Sequence, residues 1–135
     1  PIRQQGVRRS PEHALERQPE HAELHYHCGQ VLAKLGRPND AISASEAAVR
    51  LNPQYTRALI DLAKLYCQTD RRDDATIRLE QAVACGADYA DVHYLLGNLY
   101  RDQGRLKLAR RAYQRALSLN HGFAPAQKAL ADLLC

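Results

Sequence analysis

The sequence contains no tryptophan and no methionine, and phenylalanine occurs only once. Valine and isoleucine are sparse as well, so the residue types that favour sheets are scarce. No apolar run approaches the ~18 residues a membrane span needs, which excludes an integral membrane protein built on helices. Pro1 to Gly6 carries no apolar signal core. With 7 glycines and 6 prolines in 135 residues, the chain is neither loop-rich nor collagen-like. The cysteines Cys28, Cys67, Cys85 and Cys135 form no Cys-x-x-Cys pair, and a chain of this length needs no disulfide staples. They are expected as free thiols in a reducing, cytoplasmic compartment. A chain that opens at Pro1 without methionine reads as one that lost its initiator, or as a fragment or processed product. There is no phosphate-cradling glycine loop, no nucleophile elbow and no His-Glu-x-x-His, so neither an enzyme nor a cofactor is expected.

What the sequence does hold is helix-forming residues, with 21 alanines and 19 leucines. The net charge of +4 is unevenly spread. Residues 1–55 carry 7 basic and 6 acidic groups, 56–89 carry 5 and 6, and 90–135 carry 7 and 3. The excess lies in Arg105, Lys107, Arg110, Arg111 and Arg115.

A shift of 34 residues aligns the chain on itself. Small residues fall in register as Gly29, Ala63 and Gly97, then Ala41, Ala75 and Ala109, then Ala48, Ala82 and Ala116. Leu32, Tyr66 and Tyr100 recur at the same interval, and Gly36, Asp70 and Gly104 mark a turn in each unit. The units are 22–55, 56–89 and 90–123. In the last, Val92, Leu95, Leu96, Leu99 and Tyr100 follow helical spacing up to Gly104, and Leu106, Ala109, Tyr113, Ala116 and Leu117 form a second stripe. Short side chains at matched places specify a tight antiparallel hairpin. Two amphipathic helices cannot bury their faces alone, so the hairpins must stack.

This spacing resembles the tetratricopeptide repeat, with its W-x₂-L-G-x₂-Y, A-x₃-F and P pattern. The second unit runs Leu59, Leu62, Ala63, Tyr66, Ala75, Leu79, and the third His93, Leu96, Gly97, Tyr100, Ala109, Tyr113. The first runs His25, Cys28, Gly29, Leu32, Ala41, Ser45 and keeps Pro53, where the others have Ala87 and His121. The tryptophan is never present. The resemblance implies an all-α, right-handed solenoid of antiparallel helix pairs. Residues 124–135 match the first helix of a fourth unit or a capping helix, through Leu130, Ala131 and Leu134. Upstream, 1–21 form a tail and partial repeat, with a short helix near 11–17 started by Ser10-Pro11-Glu12 and a loose stretch over 1–9.

The resemblance further implies a concave groove lined by the first helix of each unit. The candidate peptide-binding residues are Tyr26, His27, Gln30 and Lys34, then Arg57, Ile60, Asp61 and Lys64, then Tyr94, Leu95, Asn98 and Arg101. Glu23, Gln68, Asp91, Asp102, Lys128 and Asp132 extend the surface. Aromatic and aliphatic anchors flanked by both signs of charge suit a peptide segment or helix of another protein. The function expected is a non-catalytic protein-binding scaffold. The alternatives are self-association through open solenoid ends and a regulatory segment of a larger protein. The family's co-chaperone members clamp a C-terminal carboxylate with Lys, Asn and Arg. Here those places hold Tyr26, Gln30, Asp61, Asp91 and Leu95, so chaperone tail peptides are not expected to bind. The asparagine ladder of the sugar-transferase relatives is replaced by His27, Asp61, Leu95 and Ala129. Lys107, Arg111 and Arg115 form a basic stripe confined to one unit, so no nucleotide code is expected. His21, His25, His27 and Cys28 have the look of metal ligands, but His25 and Cys28 occupy packing positions and His93 repeats the place of His25, so no metal is expected.

Overall fold

The computed structural model describes residues 19–135, with side chains from His21 onward. The expected helix near 11–17 and the loose stretch over 1–9 lie outside the described residues. The helices are α1 (Pro19–Lys34), α2 (Pro38–Leu51), α3 (Thr56–Gln68), α4 (Arg72–Ala84), α5 (Ala90–Asp102), α6 (Leu106–Leu119) and α7 (Ala124–Leu134). Among the described residues there is no strand. Each helix packs mainly on its neighbours in sequence, the arrangement of an all-α solenoid. No helix among the described residues is long and apolar enough to cross a membrane.

The hairpins close on their small residues. Ala41, Ala48, Ala75, Ala82, Ala109 and Ala116 are all fully buried. A Cβ placed on Gly29 would stand 2.7 Å from Ser45 Oγ, and one on Gly97 would stand 2.5 Å from Tyr113 Cε1. In each case the first helix meets the residue sixteen positions later, so the matched positions share one surrounding.

The turn inside each hairpin is a repeated left-handed cap. Gly36 and Gly104 have φ 76°, and Asp70 has φ 60°. The following amide bonds back over the turn each time: Arg37 N to Leu32 O at 3.0 Å, Arg71 N to Tyr66 O at 2.8 Å, Arg105 N to Tyr100 O at 2.8 Å. Asp70 is the one described non-glycine residue at positive φ. Asp70→Gly is expected to raise stability by about 0.5 kcal/mol, since the relieved strain exceeds the added chain entropy. Its ion pair with Arg72, at 3.7 Å and highly exposed, offsets little. Urea denaturation reads the difference, and a loss of stability would refute this account of the turn.

Two expectations about packing need correction. Cys28 is exposed rather than packed, in a row with Leu24, Val31 and Leu35, which are 54%, 56% and 66% exposed. The equivalent Leu62 and Leu96 are buried. They have a hairpin before them, whereas no helix precedes α1 among the described residues. Leu106, placed in the core stripe of its helix, is 53% exposed in the first turn of α6. It lines a surface hollow with Leu133 and Leu134 of α7. In α7, Ala131 and Leu134 are likewise exposed.

Candidate binding groove

The first helices of the hairpins, α1, α3 and α5, carry the candidate residues. Between α1 and α3 lies a cleft of about 230 Å³. Its floor is Gly29, Ser45 and Leu65, and Gln30, Lys34 and Lys64 stand at its rim. The floor is open because Gly29 has no side chain, the same feature that lets α1 approach α2.

Tyr26 also lines the cleft, yet it is only 3% exposed, so it is a wall and not a projecting anchor. Its ring packs on Tyr55 at 5.1 Å, with the Arg57 guanidinium 5.7 Å from its centroid. Its hydroxyl donates to Asp61 Oδ2 at 2.7 Å, and Gln30 Nε2 donates to the same hydroxyl at 3.0 Å. Gln30 in turn meets His27 Nδ1 at 3.1 Å through Oε1. Tyr26, Asp61, Gln30 and His27 therefore form one chain across two units. Ile60 is half-buried against the core.

Burial, then the hydrogen bond to Asp61, push the Tyr26 phenol up to about 12. A raised phenol favours the folded state in full below the ordinary value of about 10, and that contribution is lost as pH rises through about 12. Stability is thus expected to hold to pH ~10 and then fall toward pH ~12. Tyr26→Phe should remove part of that fall. Ultraviolet absorbance titration checks the phenols directly, and a single transition at the ordinary value would contradict this.

The third unit's candidates sit apart from the cleft. Tyr94 is half-buried, edge-on to Phe123 at 5.4 Å and 6.1 Å from Tyr113. Asn98 accepts from the Tyr113 hydroxyl at 2.6 Å, and Leu95 packs against the core. Arg101 is exposed beside Asp102. The structure therefore brings Tyr26, Gln30, Lys34, Asp61 and Lys64 together, with His27 and Arg57 at the edge. Tyr94, Leu95, Asn98 and Arg101 occupy the next helix along. Sequence reasoning did not select Gly29 or Ser45 as groove residues, because they carry the packing signal instead, and it gave Leu65 no role. Gly29 opposite Ser45 was the available hint.

Among the described residues, no three His, Cys, Asp or Glu side chains are grouped to hold a metal ion. His93, in the place of His25, is buried with Nε2 2.7 Å from Asp88 Oδ1. Beside the basic stripe, Arg105 lies over the Tyr100 ring at 5.0 Å, as Arg71 lies over Tyr66 at 4.5 Å. Arg115 Nε donates to Asp88 Oδ1 at 3.1 Å. The Arg115 guanidinium, then His93, hold the Asp88 carboxyl down at about 2.

A family model for the tetratricopeptide repeat matches residues 32–99, and a second matches 90–123. The chain is a tetratricopeptide-repeat protein. An uncharacterized protein of Haemophilus influenzae is 33% identical over 92 residues, 67% of this chain. The chain spans about half of that protein's length, 51%. The crystal structure of MamA protein superposes with a TM-score of 0.78 at 29% identity, over 85% of this chain and 63% of that one. The first tetratricopeptide domain of Spaghetti (RPAP3), bound to the HSP90 peptide SRMEEVD, superposes at 0.80 over 88% of this chain and 94% of that one. Its identity is 19%, so it shows the shared fold alone. Membership of the family suggests a protein–protein interaction scaffold, and proteins of this family are generally non-catalytic.

Proposed function

We propose that this tetratricopeptide-repeat protein binds a segment of another protein along the face formed by α1, α3 and α5. The observation that carries this reading is the cleft between α1 and α3. It has a floor of Gly29 and Leu65 beside the Ser45 hydroxyl, a tyrosine wall locked by hydrogen bonds, and two exposed ammonium groups at its lip. A side chain with an apolar stem fits over Gly29 and Leu65, and the exposed amide of Gln68 can pair with an extended backbone. Tyr94, Leu95, Asn98 and Arg101 continue the surface toward the third unit. A wall that is already rigid loses little entropy on binding, which favours affinity.

Peptides selected from a displayed random library against the chain test this. Affinity for a selected peptide is expected to fall at least ~10-fold in Lys64→Glu with Arg101→Glu, with the fold unchanged by circular dichroism. Unchanged affinity would overturn the groove assignment. SRMEEVD is expected not to bind in the micromolar range, because two of the places of the carboxylate clamp hold acids, Asp61 and Asp91, which would repel a carboxylate.

A further inference from the structure

At the two stacking junctions the same glutamate and tyrosine recur, but the residues around them differ: Ile77, Arg78 and Gln81 at the first stand where Arg111, Ala112 and Arg115 stand at the second. Where the first unit meets the second, the Tyr66 hydroxyl donates to Glu46 Oε2, and Arg78 Nη2 donates to Glu46 Oε1 at 2.7 Å. The guanidinium also reaches Gln81 Oε1 at 2.9 Å. Arg78 and Glu46 are 24% and 30% exposed, so this is a partly desolvated pair. At the second junction, 34 residues on, Tyr100 donates to Glu80 Oε2 in the same way. The residue in the place of Arg78 is now Ala112. Among the described residues Glu80 makes no ion pair. A notch of about 290 Å³ opens there, lined by Glu80, Val83, Leu96, Tyr100, Leu108 and Ala112. Its walls come from α4, α5 and α6, so it lies away from the cleft between α1 and α3.

We infer that this notch receives the guanidinium of an arginine side chain supplied by a partner protein, which pairs with Glu80 as Arg78 pairs with Glu46. The first junction shows the same glutamate–tyrosine pair with a guanidinium bound to it, within the same molecule. The apolar walls suit the three-carbon stem of arginine, and the planar head matches a carboxylate whose other oxygen is already tied to a phenol. The Arg115 guanidinium, also at the notch, is neutralised by Asp88. Arg111 lines the notch without pairing to Glu80. The notch is therefore close to neutral overall, with its one unpaired carboxylate at the place a guanidinium occupies next door.

Chemical-shift mapping of the full chain with N-acetyl-arginine amide tests the inference. Saturable shifts are expected at Glu80, Tyr100 and Ala112. N-acetyl-citrulline amide, its uncharged isostere, should bind about tenfold more weakly. Glu80→Gln should abolish the shifts, and Ala112→Arg should abolish them by filling the notch from within. The Glu80 carboxyl signal of the free protein should not move in Arg111→Gln. Absent shifts, equal binding of citrulline, shifts that persist in Glu80→Gln, or shifts at Tyr26 and Asp61 instead would overturn it. So would a Glu80 signal that moves in Arg111→Gln, which would put the chain's own arginine in the notch. Tighter binding of free arginine than of its blocked amide would point to a metabolite site and also refute the proposal.

Discussion

Gly97→Ala is expected to destabilise the protein by about 2 kcal/mol, a fall in Tm on the order of 8 °C. In most helices this exchange gains up to ~1 kcal/mol, because glycine is the poorer helix former. Here the new methyl would lie 2.5 Å, 2.6 Å and 3.0 Å from Cε1, Cδ1 and Cζ of Tyr113. That ring cannot turn aside. It is fully buried, its hydroxyl is held by Asn98, and Tyr94 packs near it. Overpacking of this kind costs ~3 kcal/mol and outweighs the propensity gain. Gly29→Ala is the control. Its new methyl meets the Ser45 hydroxyl at 2.7 Å and the Ala41 carbonyl at 3.3 Å. A serine can change rotamer, so the net change should stay within about 1 kcal/mol. Urea denaturation of both variants separates them. A Gly97→Ala protein as stable as the parent would mean that the hairpin seam is looser than described.

The second large effect is expected at Leu62. It is fully buried in the core, and Leu62→Ala should cost about 3 kcal/mol through the lost contacts and the cavity left behind. In a stacked array, a loss of this kind also weakens coupling between neighbouring units, so the unfolding transition should broaden. Cys28 occupies the same place in the first unit but is exposed, and Cys28→Ala should change stability by no more than ~0.5 kcal/mol. Equal losses at the two positions would show that Cys28 is covered in solution.

The contrast between these positions marks what the sequence could disclose. The hairpin seam was legible because it is local and repeats: Gly29 with Ser45 and Gly97 with Tyr113 recur at one spacing, and only small residues fit. The turns were legible for the same reason, since Gly36, Asp70 and Gly104 sit where the backbone turns left-handed. Exposure at Cys28 was not, because burial there depends on a neighbouring hairpin and not on the unit's own pattern. The groove was legible in outline only. Its face follows from helical spacing, yet the role of Tyr26 depends on Asp61, 35 residues away. No periodicity specifies that the two hydrogen-bond, and so a residue expected to project turned out to be a buried wall. The Glu46–Tyr66–Arg78 and Glu80–Tyr100 junctions were likewise invisible until the hairpins were stacked.

The links between hairpins have a bearing on how such arrays diversify. Tyr26 is tied to Asp61, Glu46 to Arg78, and Asp88 to Arg115, and each bond joins one hairpin to the next. The hairpins share a length, a seam and one tyrosine–glutamate bond, Tyr66 to Glu46 and Tyr100 to Glu80, but the ion pairs differ from one boundary to the next. Shuffled or duplicated blocks would still fold back as helix pairs and keep the tyrosine–glutamate bond, while losing the ion pairs particular to each boundary. The order of blocks is thus carried by charges at the boundaries, apart from the shape that every block shares.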